Sequence, residues 1–442
     1  MVKPSMNLIK PAELRSEFRD LVRPDRVHRS LYTDAAIFSL EMKNIFGRAW
    51  VYVGHDSLVP KVGDYLASRI GSEPVLLSRH TDGKVYVLYN RCSHRGAAVC
   101  NEERGNVKLF RCPYHGWTFT TNGELDAVSM RRGYGPDFNL EDPALNMGRV
   151  ARVALYRGFV FASLAKDGPS LEAFLGHARE SLDEIVDRAP DGEIDLSGGV
   201  HKYVFRGNWK LQLENVIDMY HVPFSHESTI SRSGRQFGRR PGEESASAIS
   251  DKGAVADRWE QRVAWGSGAY GHSYAGHQPV AEGRPDDPVF KEYVASLAAR
   301  HGKARAEEIL TPRRHNTAFY PNMTLQALNY HVRVIIPLAV DRTEIHVYPV
   351  QFKGAPAAMN AGFVRHMNVT HSASSFIQTD DLECFRRCQE GMATQGSDWV
   401  WFARGTDTDT EDEHGDIVNR GTVETQQRAQ HAAWLHFMSD AA

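Results

Sequence analysis

The sequence predicts an α+β protein: a small all-β domain over residues 45–160, and a larger α+β domain formed by 1–44 and 161–442 in which an antiparallel sheet wraps a long helix. Three observations lead there. At 442 residues the chain is too long for one ordinary small domain and fits two, each with a sizeable core. Between Asp64 and Val128, short alternating or apolar runs are punctuated by turn dipeptides. From Leu171 onward, helical and strand-like patterns are mixed.

The first elements are hairpins. PVLLSR and KVYVLYN flank Asp82-Gly83, and WTFT and ELDAV flank Asn122-Gly123, dipeptides that readily adopt the positive φ angles of two-residue turns. Leu171 to Val186 reads as a helix, Lys202 to Phe205 as a strand, and Leu211 to Tyr220 as a second helix. His331 to Ile336 and Glu344 to Gln351 read as strands joined by a turn around Asp341-Arg342. Ser231 to Gly253 is rich in Ser, Gly, Arg and Glu, and Gly266 to Pro288 in Gly and Pro; both read as irregular loops.

A net charge of -3 with 24% charged residues provides no basic stripe, which argues against nucleic acid as a partner. Five cysteines, an odd number, argue against a disulfide framework and for a reducing compartment. The opening MVKPSMNLIKPAELRSEFRD is interrupted by charge and proline and has no apolar core for a signal peptide. The longest apolar stretches, such as Val334 to Val340, fall far short of a membrane span. A soluble, cytoplasmic protein is expected.

The strongest chemical signal is a pair of loops, Cys92-Ser-His94 and Cys112-Pro-Tyr-His115, separated by seventeen residues. Each offers one thiolate and one imidazole. Two cysteines on one iron and two histidines on the other hold a Rieske [2Fe–2S] cluster. Gly96, Pro113, Gly116 and Trp117 flank the ligands, as tight loops over a cofactor require. The same four residue types also suit tetrahedral zinc.

The second constellation is NWKLQLENVIDMYHVPFSH, which contains Glu214, Asn215, Asp218, His221 and His226. Residues five apart on a straight helix point roughly 140° from each other, so the two histidines can share a metal only if the chain bends. Pro223 is expected to break the helix between them. A facial triad for Fe(II) needs one carboxylate besides two imidazoles, and Thr379-Asp380-Asp381-Leu382-Glu383 offers acids far downstream. That stretch also reads as a helix start, with Asp380 as N-cap and Glu383 closing a capping box. Asp218, three residues before His221, is expected on the same helical face, where its carboxylate can accept that imidazole's N–H.

On these motifs, and over nearly its whole length, the chain resembles the α (large, catalytic) subunits of Rieske non-heme iron aromatic-ring-hydroxylating oxygenases. The resemblance implies a helix-grip-like catalytic domain, with Cys92, His94, Cys112 and His115 as cluster ligands. It implies His221, His226 and the second acid of the doublet, Asp381, as ligands of mononuclear Fe(II), with Asp380 as the fallback, and it places Asn215 near the iron. In the family the acid matching Asp218 bonds a Rieske histidine of the neighbouring subunit. Carried over, His115 of one subunit reaches Asp218 of the next, which implies a head-to-tail ring, most simply a homotrimer. Respiratory Rieske proteins add a disulfide between the loops, and Cys100 has no such partner near His115.

The implied activity is that of the terminal oxygenase component of a multicomponent aromatic-ring-hydroxylating dioxygenase, acting with O2 on an aromatic ring held in an apolar pocket. Electrons from NAD(P)H would arrive through a separate reductase, with or without a ferredoxin, because the chain has no dinucleotide fingerprint. The stretch GTVETQQRAQHAAWLHFM resembles the C-termini of large subunits that act on benzoate-like acids and pair with a small β subunit. It points to an aromatic carboxylate and an α3β3 assembly. The other readings are a Rieske monooxygenase acting on a neutral arene, a Rieske electron carrier, and a zinc-binding module. The irregular segment after His226 is a candidate lid. His272 and His277 read as loop residues, Cys384 and Cys388 as core packing, and Glu214 as an ion-pair partner. Arg333 could meet a substrate carboxylate, but an arginine there is common across the family and is given no role in specificity.

Overall fold

The computed structural model describes residues 18–226, 263–267, 270–276, 286–311 and 313–439. Both expected turn dipeptides close hairpins. Asp82-Gly83 joins Glu73–Arg79 to Val85–Tyr89, and Asn122-Gly123 joins Thr118–Thr120 to Leu125–Ala127. The first hairpin extends to a four-stranded antiparallel sheet with Asp64–Ile70 and Arg104–Asn106, and the second to three strands with Leu109–Arg111. These two sheets enclose a core of their own, in which Leu76, Leu88, Phe110, Trp117, Phe119 and Met147 pack around Cys92 and Cys112.

A third sheet, Arg152–Tyr156, Phe159–Ser163 and Val51–His55, is the joint between the two parts. Val51, Phe159, Val160 and Phe161 pack into the main core, not the small one. The side chain of Asn322 clamps this sheet by accepting from Tyr52 N–H and donating to Tyr52 C=O, both at 2.9 Å.

Among the described residues the large sheet has nine antiparallel strands: β1 (His201–Phe205), β2 (Val263–Gly266), β3 (Ser273–Gly276), β4 (Arg314–Phe319), β5 (Met323–Gln326), β6 (His331–Ala339), β7 (Arg342–Pro349), β8 (Thr410–Glu411) and β9 (Ile417–Arg420). They run in the order β1-β7-β6-β5-β4-β3-β2-β9-β8. The sheet curves around helix α1 (Trp209–Ile217), which packs on β3 to β6. Further along the chain come the short α2 (Val222–Ser225), α3 (Gln378–Met392) and α4 (Thr425–Ser439). Side chains of the sheet and α4 hold the end of α1: Asn316 donates to the carbonyl of Val216 and Gln426 to that of Ile217.

Glu41 ties the helices together. At the end of the helix Ala35–Glu41 it is fully buried and accepts from Lys210 Nζ at 2.5 Å, Trp209 Nε1 at 2.8 Å and Trp434 Nε1 at 2.7 Å. A buried carboxylate persists only when its lone pairs are used in this way.

Some local expectations are corrected. The helix expected over Leu171 to Val186 is two, Leu171–Leu175 and Arg179–Asp187, because Gly176 takes φ +50°. The Gly266–Pro288 stretch is not wholly irregular, since Ser273–Gly276 pairs into the large sheet. Among the described residues no helix is long and apolar enough to cross a membrane.

Candidate metal centres

The two Cys/His loops are built alike. Each follows a strand of the small domain, and in each the cysteine's own backbone closes the loop. Cys92 N–H donates to Ala97 C=O and Cys112 N–H to Trp117 C=O, both at 2.8 Å. Gly96 and Gly116 return N–H bonds to the carbonyls of Cys92 and Cys112. Those glycines sit at φ +77° and +70°, where a side chain would be strained, so the tight return needs glycine at both places. Burial pushes the Cys92 thiol up, and the adjoining Cys112 thiol adds to the shift. The imidazoles of His94 and His115 stand 4.7 Å apart between ring centroids, with His94 stacked on Trp117.

The Nδ1 atom of His94 is buried without a hydrogen-bond partner. Two buried thiols side by side, two adjacent imidazoles and an orphaned ring nitrogen fit a [2Fe–2S] cluster with mixed ligands. All five cysteines are free, Cys100 included.

The second centre joins two distant segments. Helix α1 stops at Ile217, and Asp218 is extended with φ -77° and ψ 112°. Its Oδ1 accepts from the N–H groups of Tyr220 and His221, a side-chain turn that redirects the chain. Pro223 therefore does not break the helix, contrary to expectation. It lies in the first turn of α2, where its missing N–H costs nothing, and the break precedes it at Asp218. Asp218 reaches His221 across this turn instead of along a helical face. Its Oδ2 stands 3.6 Å from His221 Nδ1, an ion-pair contact longer than a hydrogen bond.

From the other side, α3 presents both acids in its first turn. Ile377 is the N-cap, so Asp380 does not cap the helix, and Glu383 pairs with Arg386 and Arg387 in place of a capping box. Asp381 Oδ1 lies 3.5 Å from His221 Nε2 and 3.3 Å from His226 Nε2. Asp380 turns the other way and meets His226 Nδ1 at 3.3 Å. Among the described residues, His221, His226 and Asp381 are the one group of three with ligand atoms all within 4.8 Å of one another. A facial triad with bonds of about 2.1 Å sets its ligand atoms about 3 Å apart, and the two distances from Asp381 come near that.

Each histidine thus points Nε2 at Asp381 and Nδ1 at a second acid, an arrangement that fixes tautomers at metal sites. The role of Asp380 was not foreseen. The signal lay in the doublet itself, because consecutive residues in a helical turn project about 100° apart and can serve two partners. Burial alone would lower the His221 pKa, but Asp218 and Asp381 outweigh it and raise it. Burial would raise that of Asp381, and His226, His221 and Arg333 outweigh it in the opposite direction. The Asn215 amide nitrogen lies 3.1 Å from both His221 Nε2 and Asp381 Oδ1, at the edge of the triad.

The remaining candidates lie elsewhere. Glu214 accepts from Tyr32 at 2.7 Å and faces His431. His272 lies in the loop just before β3, as expected, but is buried there: Phe174 C=O and Tyr320 N–H take both its ring nitrogens, and burial lowers its pKa to about 4. His277 and the candidate lid over Ser231 to Gly253 lie outside the described residues. Cys384 is half-buried and Cys388 exposed, because Phe385 takes the core position on that turn.

A model of the Rieske [2Fe-2S] domain matches residues 49–134, and one of the ring hydroxylating alpha subunit (catalytic domain) matches 182–439. Toluate 1,2-dioxygenase subunit alpha of Pseudomonas putida is 36% identical over 84% of this chain and 80% of its own length. The 2-halobenzoate 1,2-dioxygenase large subunit of Burkholderia cepacia is 33% identical over 89% and 84%. The solved naphthalene 1,2-dioxygenase from a Rhodococcus species, bound to indole, superposes with a TM-score of 0.80 at 25% identity and covers 98% of each chain. With both family models matched and a relative of this similarity, the chain belongs to the ring-hydroxylating dioxygenase alpha subunits, oxidoreductases with a Rieske [2Fe–2S] domain and a mononuclear-iron catalytic domain.

Proposed function

We propose that this subunit dihydroxylates the ring of an aromatic carboxylate, with Cys92, His94, Cys112 and His115 holding the Rieske cluster and His221, His226 and Asp381 holding the iron. The observation that carries the reading is the convergence of those three ligand atoms from segments far apart in sequence. When bound, the cluster supplies single electrons and the iron binds and activates dioxygen.

The chain's own residues set up that chemistry. Asp218 and Asp380 face the outer Nδ1 atoms, so both Nε2 lone pairs are directed inward. Asn215 donates at the triad's edge and holds the Asp381 carboxylate in place. Domain limits of 45–160 for the Rieske part and 1–44 with 161–442 for the catalytic part belong to this reading.

As an alpha subunit of a multicomponent system, the protein receives its electrons from another protein, and we assign it a reductase, with or without a ferredoxin. A ring of three such chains with three β subunits, in the cytoplasm, completes the proposal. The Asp218 carboxylate is 27% exposed, which leaves an edge available to His115 of a neighbouring copy. Replacing Asp218 by alanine is expected to leave both centres loaded and to slow electron transfer between them at least tenfold in single-turnover experiments. An unchanged rate removes the bridge.

The toluate and halobenzoate enzymes among its relatives support an acid substrate. The whole reading is tested by iron and acid-labile sulfide per chain, with the EPR spectrum of the reduced protein. About three irons and two sulfides with a Rieske signal are expected. Two irons would make the protein a carrier, and zinc without sulfide would overturn the reading.

A further inference from the structure

Helix α3 carries more ligand-type side chains than the iron triad uses. Residues turn by about 100° each along a helix, so Asp381, Cys384 and Cys388, spaced by three and four, lie within about 60° of one another on one stripe. The stripe runs from the buried Asp381 past the half-buried Cys384 to the exposed Cys388. Phe385 takes the core position on this stretch, which leaves the two thiols at its solvent border. Both thiols are free. Side chains four apart on a helix have Cβ atoms about 5–6 Å apart, whereas a disulfide requires about 3.5–4.5 Å. Joining the sulfurs directly would therefore unwind the helix that presents Asp381. A shared cation needs no such change. Metal–sulfur bonds of about 2.3 Å at a tetrahedral angle set two sulfurs roughly 3.8 Å apart, a span that rotatable thiols on adjacent turns reach. Thiolates select soft or borderline cations, zinc among them.

The surrounding charge suits a cation. Partial desolvation, then the Cys384 thiol and Glu214, push the Cys388 thiol up, so that a negative group already stands near the pair. The two arginines of the same helix are occupied, since Glu383 pairs with both Arg386 and Arg387 and Glu390 with Arg386. Among the described residues the one group of three with ligand atoms within 4.8 Å is the iron triad, so the protein offers a cation here two thiolates and water the rest. The exposure of Cys388 admits that water.

Cys384 also touches the turn that holds both iron histidines. Its Sγ lies 3.8 Å from Ser225 Oγ, within hydrogen-bond reach for sulfur, and Ser225 precedes His226. The N–H of Ser225 donates to His221 C=O at 2.8 Å, so this serine is bonded to one end of α2 and adjacent to the other. A sulfur that turns toward a shared cation leaves Ser225.

We propose that Cys384 and Cys388 form a second metal site, for a thiophilic divalent cation of the zinc class, and that filling it loosens the iron site through Ser225. Binding changes no oxidation state: the cation exchanges two of its waters for two Sγ bonds, and the two thiol protons pass to solvent. The site is independent of which substrate the enzyme takes.

The test is equilibrium dialysis of the iron-loaded protein against Zn2+, with zinc and iron measured per chain, for the wild type, Cys388→Ser and Cys384→Ser. The wild type is expected to take up about one zinc per chain that either variant binds at least about tenfold more weakly. Release of iron to a ferrous chelator is then followed in time, each protein without zinc being its own reference. Zinc is expected to quicken that release severalfold in the wild type and to leave it unchanged in Cys388→Ser, which keeps the contact between Cys384 and Ser225. Equal zinc uptake by all three proteins overturns the site, as does zinc that enters only as iron leaves, which would place it in the triad. Zinc bound to the pair with an unchanged rate of iron release overturns the link through Ser225.

Discussion

Replacing Asp381 by alanine is expected to abolish turnover, by more than about 1000-fold, while the visible and EPR spectra of the reduced cluster remain those of the wild type. Removing an outer partner of a metal ligand costs about 10- to 100-fold, and among the described residues Asp381 is the one carboxylate that faces both His221 Nε2 and His226 Nε2. Without it two imidazoles remain as ligands, and iron should fall from about three to about two per chain. The cluster is spared because its loops are rooted in a separate core around Phe110 and Phe119. Retained activity with full iron would move the ligand to Asp380, whose Oδ2 now faces the outer nitrogen of His226.

Glu41→Gln is expected to be the most damaging conservative change for stability, at about 3–5 kcal/mol, read as a lower melting temperature beside the wild type. The substitution keeps the volume and removes the charge opposite Lys210, which is 3% exposed. Burial already lowers the Lys210 pKa, and Glu41 works against that shift. In the variant the lysine must either carry an unpaired charge or give up its proton. A Glu41→Met, Lys210→Met double variant should recover much of the loss, though the indoles of Trp209 and Trp434 would still lack their acceptor. Equal melting of all the variants would show the pair to be energetically idle.

What was legible in the sequence was what lies close together in it. The cluster loops each fit within a few residues, and the matching glycines four positions after Cys92 and Cys112 could be read from spacing. His221 and His226 were legible as a pair, but the bend that unites them was placed at Pro223 on propensity alone. The side-chain turn of Asp218 makes the bend, and competition between a local carboxylate and the helical ladder leaves no periodic trace. Asp381 required the family pattern, since nothing local distinguishes it from Asp380. The shared sheet face of Tyr203, Thr324 and Arg333 was invisible for another reason: it exists only through the register of four strands. A one-residue slip would turn every one of those side chains away.

The triad draws on the two ends of α2 and the start of α3, about 155 residues apart in sequence. An ion held by both is therefore a removable cross-link closing a very long loop, worth more the less the free chain would hold its ends together. Folding and loading become one linked equilibrium: iron bound to the folded state and not to the unfolded one adds stability that grows with the logarithm of its free concentration. The cell's iron supply would then set how long this protein lasts as well as how fast it works.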